Sequence, residues 1–169
     1  MCIRDSDKTR TAMGARLLRS YVEQPLIDEE EINARLDAVE ALTSQAMIRE
    51  EIREYLRPVY DLERLVGRIS YQSANPRDLI AFKSSLQMLP YIKQLLNSFD
   101  GGALAQIQED LDPLEDLYQL VDAAIVDYPP YLMRDGGMIK DGYNEMVDNY
   151  RHAKTEGKQW LSVVSYTHL

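Results

Sequence analysis

Three basic residues near the carboxyl end of the chain have the spacing that a phosphate contact would need. Arg151, Lys154 and Lys158 recur at helical intervals, so one side of a helix would carry all three. Such a stripe can follow the phosphates of a nucleic acid. It can equally be a solvated flank that pairs with nearby acids, and the excess of 28 acidic over 19 basic residues favours that interpretation. The sequence therefore predicts a weak phosphate contact at most.

The remaining reactive side chains do not form a recognisable catalytic, cofactor-binding or metal-binding pattern. The acids from Asp28 to Glu31 suit the positive end of a helix dipole, and no partner for acid–base chemistry lies beside them. His152 is interpreted as a surface histidine. Gly101-Gly102 lacks the following Lys-Ser or Lys-Thr of a phosphate loop. We therefore predict no catalytic, cofactor or metal residue in this chain.

Length and charge limit the classes of protein that fit. The chain has 169 residues, 45% of them hydrophobic, which is enough for one domain with a core. Its net charge of −9 should repel nucleic acid, so a domain that grips DNA by itself is a poor fit. No apolar run approaches the roughly 20 residues of a membrane span. The single cysteine cannot form an internal disulfide.

Apolar periodicity and capping residues predict an all-α fold of several helices. Asn75 should cap one helix, with Pro76 at its first position. Asp28 and Asp112 should cap two others, each with a glutamate three residues later that completes a capping box. The predicted buried stripes are, in order, Met13, Leu17, Leu18 and Tyr21; Ile32, Leu36, Val39 and Leu42; Ile48, Ile52, Leu56 and Val59; Leu62, Leu65, Val66 and Ile69; Leu79, Phe82, Leu86 and Leu89; Leu117, Leu120, Val121, Ala124 and Ile125; and Met146, Tyr150, Ala153, Gly157 and Trp160.

Turn-forming residues interrupt the helical pattern from 127 to 143. Pro129-Pro130, Asp135-Gly136-Gly137 and Asp141-Gly142 predict an extended, turn-rich segment, with a small hairpin as one form it could take. A further helix should begin near Asn144. Residues 1–6 and 162–169 do not continue the neighbouring patterns, and we expect them to be non-native flanks.

A series of short motifs occurs in a fixed order along the chain. They are Thr11 to Leu18 with Gln24-Pro25-Leu26, Arg35 to Val39, Tyr60 to Leu65, Asn75 to Leu79, Asp127 to Pro130, Asp135 to Ile139 and Gly142 to Glu145. Together they resemble the central core, or lever, domain of the bacterial MutS mismatch-repair proteins, over about residues 7 to 162. The resemblance implies that residues 7–143 are the first part of this core and that 144–161 begin the long helix leading to the DNA clamp.

The resemblance also implies a mechanical role. The domain would couple an ATPase to the clamp, while ATP and Mg²⁺ bind elsewhere in the full-length parent and no functional residue of the family maps onto this chain. Other domains of the parent would bind double-stranded mismatched DNA, and the parent would form a homodimer, work with a MutL-type partner and act at the nucleoid in the bacterial cytoplasm. The apolar stripes should then stay partly uncovered in this fragment. The alternative is a free-standing helical adaptor that binds other proteins.

Overall fold

The structure, a computed structural model, describes the backbone of residues 7–167 and the side chains of residues 7–157. In chain order the helices are α1 (Ala12–Glu23), α2 (Glu29–Ser44), α3 (Ala46–Leu56), α4 (Leu62–Ser70), α5 (Pro76–Leu86), α6 (Leu89–Leu96), α7 (Gly102–Asp110), α8 (Glu115–Ala124) and α9 (Glu145–Thr167). One 3₁₀ turn spans Met133–Asp135. The all-α prediction is confirmed.

Two apolar clusters hold helices α2 to α8 together. Ile92, Leu96, Phe99 and Leu104 form the first, against which α2 and α3 pack. Leu65, Phe82 and Leu86 form the second, between α4, α5 and α8. The short break between α5 and α6 connects the two clusters, because Met88 packs on the first cluster and its neighbour Leu89 packs on the second. Burial of these side chains from water is the main force that joins the helices.

The start of α5 is as the sequence predicts. The Asn75 side chain accepts a hydrogen bond from the Asp78 amide at 3.0 Å, and the Asp78 side chain accepts one from the Asn75 amide at 2.8 Å. Pro76 occupies the first turn, where its missing N–H costs no hydrogen bond. Asp28 likewise caps α2 by accepting from the Glu31 amide at 3.0 Å, but the predicted capping box is not completed, because the described contacts include no return bond from the Asp28 amide to the Glu31 side chain.

The predicted start of α8 is wrong. Asp112 does not cap a helix at Pro113, because its side chain accepts instead from the Leu114 amide at 2.9 Å and forms a local turn. Leu114 adopts a left-handed conformation with φ of 53°, and α8 begins only at Glu115. The side chain of Leu114 then packs against the second cluster, which offsets the strain of that conformation.

Several predicted buried stripes are exposed. More than half of the side-chain surface is open to solvent at Leu17, Leu36, Val39, Leu120, Met146 and Tyr150, and between a third and a half at Tyr21, Ile32, Val66, Ile69 and Leu117. Of the stripe predicted on α2, Leu42 does pack on the first cluster, together with Ala38 and Ala41. In the described residues, the extensive helix–helix contacts involve neither α1 nor α9. The side chain of Trp160 lies outside the described residues.

The sequence also suggests that Ile27 staples onto Ile32, that Pro90 introduces a kink or short break and that Gly14 lets another backbone approach closely, and the structure corrects all three. Ile27 is 96% exposed, so it does not pack onto Ile32 as a hydrophobic staple would. The break after α5 falls at residues 87–88, and Pro90 lies inside the first turn of α6, where proline is tolerated. At Gly14, the close neighbours are the side chains of Thr9 and Thr11, not the backbone of another helix.

The segment from 127 to 143 is turn-rich and returns to the end of α8. An isolated antiparallel bridge pairs Ile125 with Ile139. The Val126 amide donates to the Met138 carbonyl at 3.0 Å, and the Lys140 amide donates to the Ala124 carbonyl at 2.8 Å. This short pairing confirms the extended crossing predicted here, and it brings the start of α9 beside α8.

Candidate functional site

The first turn of α9 is fixed by two polar side chains. The Asn144 side-chain oxygen accepts from the amides of Met146 and Val147 at 3.1 and 3.2 Å, which satisfies amides that have no partner within the helix. Asp148 reaches back and accepts from the Gly142 amide at 2.8 Å. Gly142 has a φ of 81°, a conformation that glycine adopts without strain. The turn before the helix and its first turn are therefore tied together.

Arg151 adds a second set of contacts at the same place. Its guanidinium pairs with Asp141 and, at 3.1 Å, with Asp148, and it donates to the Ile139 carbonyl at 2.6 Å. Only 30% of the Arg151 side chain is exposed. We call Asp141, Asp148, Arg151 and the Ile139 carbonyl the root clasp. It joins α9 to the short strand pairing at the end of α8.

Of the three residues predicted to contact phosphate, the root clasp engages Arg151. Arg151 is already engaged with two acids, Lys154 is exposed one turn further along α9, and the side chain of Lys158 lies outside the described residues. The alternative interpretation, a flank that forms salt bridges, thus describes Arg151. Phosphate contact by the three residues stays a prediction.

A second charged joint lies where α5, α8 and the turn-rich segment meet. Lys83, only 12% exposed, donates to Asp122 at 3.0 Å and to Asp127 at 2.9 Å, and Lys140 lies 3.8 Å from Asp122. Burial lowers the pKa of Lys83, but hydrogen bonds to the two aspartates outweigh it and the pKa ends above its ordinary value. The hydrogen bond from Lys83 lowers the pKa of Asp127. Lys83 therefore stays charged and links α5, α8 and the turn-rich segment.

A third joint holds α1 to α4. Arg16 donates to both carboxylate oxygens of Asp61, at 2.7 and 2.8 Å, and also pairs with Glu63. Asp61 in turn caps α4 by accepting from the Arg64 amide at 3.2 Å. The Arg16 hydrogen bonds lower the pKa of Asp61 to about 2, and the Arg64 amide adds to the effect. We call Arg16 with Asp61 and Glu63 the α1 latch.

Sequence reasoning missed both the root clasp and the α1 latch as units. The Asp148–Arg151 spacing of three residues on a helix was a usable signal for part of the root clasp. Nothing in the sequence pairs Arg16 with Asp61, since the two lie on different helices far apart in the chain. The excess of acidic residues also predicts an intramolecular partner for Arg68, and Asp78 is that partner, at 2.8 Å.

The described residues do not fit a nucleotide or a metal ion. Gly101 and Gly102 begin α7 without a lysine and hydroxyl residue behind them, and His152 is exposed. Across the part of the chain described, no group of three or more histidine, cysteine or acidic side chains could hold a metal. Within that same part, no helix is long and apolar enough to cross a membrane. What the three joints can do is mechanical: they fix helices relative to one another.

The family model of MutS domain III matches residues 6–166. The chain belongs to the MutS domain III family. Domain III is the helical core domain of that family, which agrees with the helices described above. The free-standing adaptor is not supported.

Bacterial relatives agree with this assignment. The DNA mismatch repair protein MutS of Lachnoclostridium phytofermentans is 59% identical over 156 residues, which are 92% of this chain and 17% of the relative. Those of Pelotomaculum thermopropionicum and Caldanaerobacter subterraneus are 54% and 52% identical over 92% of this chain and 18% of each relative. The chain thus spans less than a fifth of the length of the proteins it matches, and it is similar to one domain of a DNA mismatch repair protein.

Proposed function

We propose that this MutS domain III acts as a lever in a mismatch repair protein. Its helices transmit movement between an ATPase domain and a DNA clamp into which α9 leads. The observation that carries the proposal is the arrangement of α9. This helix leaves the helical body, and among the described residues the root clasp is its main polar attachment to that body.

The packing of the remaining helices supports a lever. α8, α5, α6 and α3 contact one another in succession, so both apolar clusters belong to one connected body. Charged joints at Lys83 and at Arg16 tie the ends of that body to its neighbouring segments. Packed interiors transmit displacement because they compress little. A connected body with a firmly attached exit helix is what transmission of movement needs.

The parent protein is proposed to supply the remaining functions. Its ATPase domain would bind ATP and Mg²⁺, and other domains would bind double-stranded mismatched DNA. The net charge of −9 on this chain supports a division in which DNA is held elsewhere. We further propose that the parent is a homodimer, that it works with a MutL-type partner, and that it acts at the nucleoid in the bacterial cytoplasm.

A domain exchange tests the lever. Residues 7–161 would replace the matching segment of the Lachnoclostridium phytofermentans MutS protein, and mismatched-duplex affinity would be measured with and without ATP. We expect the exchanged protein to keep the nucleotide-dependent change in affinity, about fivefold or more as in other coupled sites. A matched control inserts Gly-Gly between Tyr143 and Asn144, which leaves both apolar clusters intact and should abolish that change. Loss of the change in a folded exchanged protein, or its survival in the insertion variant, would contradict the lever.

A further inference from the structure

We infer that Arg151 is the positioning residue that sets the direction of α9, through the root clasp, and that the coupling between nucleotide and DNA depends on it. The inference rests on the proposed lever function and names the contact through which the lever turns. It concerns orientation, so Arg151 is assigned no contact with DNA or nucleotide.

The contacts form a continuous path from the core to α9. Ala124 and Ile125, at the end of α8, are both buried. Ile125 pairs with Ile139 across the antiparallel bridge, and the Lys140 amide is bound to the Ala124 carbonyl. The Ile139 carbonyl then accepts from the Arg151 guanidinium at 2.6 Å. Arg151 therefore holds α9 to backbone that the core itself fixes.

The shape of arginine explains why this residue can set an angle. A guanidinium is planar and carries its donors in a rigid fork, so its partners fix both its position and its orientation. Here one terminal nitrogen donates to Asp141 and Asp148, and the other donates to the Ile139 carbonyl. Asp148 lies one turn earlier on α9 and is itself bound to the Gly142 amide. Two successive turns of the helix are thereby bound to the same preceding segment.

Because α9 is long, a small change in the angle at which it leaves the body displaces its far end. Residues 145–161 of α9, which precede the flank expected to be non-native, span roughly 26 Å at the usual rise per residue. A tilt of about 10° at the root would then move residue 161 by about 4–5 Å. In the described residues, no extensive packing of another helix supports α9 along its length. The contacts at its root consequently control where its far end lies.

The rival explanation is that Arg151 serves only as one charge of the phosphate stripe. Lys154 provides a matched control, because it lies on the same helix one turn further on and is exposed. Removing either charge should weaken DNA binding alike, with a shallower salt dependence, if phosphate contact is what matters. Only Arg151 should affect orientation if the root clasp is what matters.

The first test measures coupling in the exchanged MutS protein described above. Mismatched-duplex affinity is determined with and without ATP for Arg151→Gln, Arg151→Lys and Lys154→Gln. We expect both Arg151 variants to lose about fivefold or more of the nucleotide-dependent change. Lys154→Gln should alter it by less than about twofold, as expected of a surface substitution. Retained coupling in Arg151→Lys would overturn the inference, because charge without the fork would then suffice.

The second test measures the angle directly. Spin labels at Asp116 on α8 and Glu156 on α9, in the same exchanged protein without other reactive cysteines, report the distance between the two helices. Arg151→Gln should broaden that distance distribution, and Lys154→Gln should leave it unchanged. A narrow distribution in Arg151→Gln would overturn the inference even if that variant were less stable, since stability alone does not require the angle to change.

The two proposals fail in different ways. If the exchanged protein with Arg151 intact shows no coupling, the lever function fails whatever the labels report. If that protein shows coupling but Arg151→Gln and Lys154→Gln behave alike, the lever stands and the positioning role of Arg151 is wrong.

Discussion

At the scale of single residues, Ser85 is the polar group on which the second apolar cluster depends. Its side chain has no solvent exposure and lies beside the buried Leu86. The hydroxyl oxygen accepts from the Tyr60 amide at 2.9 Å, and the hydroxyl donates to the Ala81 carbonyl at 2.8 Å. A single serine thus fastens the segment between α3 and α4 onto α5.

Replacing Ser85 with alanine should destabilise the fold because the Tyr60 amide would lose its partner. Loss of this partly buried hydrogen bond should cost about 0.5–1.5 kcal/mol of the free energy of unfolding. Ser84→Ala is the matched control: the neighbouring hydroxyl is bonded only to the Ile80 carbonyl of its own helix, and we expect a change within about 0.5 kcal/mol. Urea denaturation of both variants measures the difference. Equal effects at the two positions would show that the Tyr60 contact contributes nothing.

At the scale of elements, the sequence predicts where helices begin more reliably than which face of each is buried. Asn75-Pro76 and Asp28 act as predicted because a cap is a local hydrogen bond between residues a few positions apart. The stripe at Leu17 and the one at Leu36 to Val39 are apolar as periodicity requires, yet they lie open to solvent. Periodicity shows which side chains share a face, whereas burial depends on whether another element covers that face.

The candidate site was less predictable than the helices for the same reason. The α1 latch and the Ile139 carbonyl contact of Arg151 join residues that only the tertiary fold brings together.

The error at Asp112 has a different origin. Its side chain had two partners within reach, a helix amide or the amide of Leu114, and aspartate forms local turns as readily as caps. Sequence alone does not decide between them.

The α1 latch is the element-scale contact with a predictable pH dependence. Asp61 has its pKa lowered to about 2 in the folded chain, below the ordinary value of 3.8. A carboxylate with a depressed folded pKa stabilises the fold above its unfolded value and loses that effect as the pH falls through the folded one. The latch should therefore act fully above about pH 4 and weaken progressively towards pH 2.

A double-mutant cycle between Arg16→Gln and Asp61→Asn tests the latch. Asparagine can still cap α4, so the substitution removes the charge and keeps the capping oxygen. We expect a small stabilising coupling in the free energy of unfolding at pH 7, small because half of the Arg16 side chain is exposed and solvent screens the pair. The same cycle at successively lower pH should show the coupling shrink below about pH 4. A coupling that stays constant down to pH 2 would contradict the assigned pairing.

At the scale of the whole molecule, the described residues leave apolar faces of α1 and α2 open to solvent, and α9 leaves the body. Helices that bury little surface gain little stability from packing, so stability should differ sharply along the chain.

Native-state hydrogen exchange of the 169-residue chain should reveal that difference. Amides of α5 and α6, which flank both apolar clusters, should exchange last and at the free energy of global unfolding. Those of α1 and of α9 beyond the root clasp, residues 152–157, should open at about 1 kcal/mol or less, because few packing contacts oppose fraying there. In the exchanged MutS protein, further domains can cover the apolar faces, and α1 should become several-fold more protected. Uniform protection from α1 to α9 in the isolated chain, with a sharp melt at high temperature, would mean that these faces need no cover and that the domain is complete as it stands.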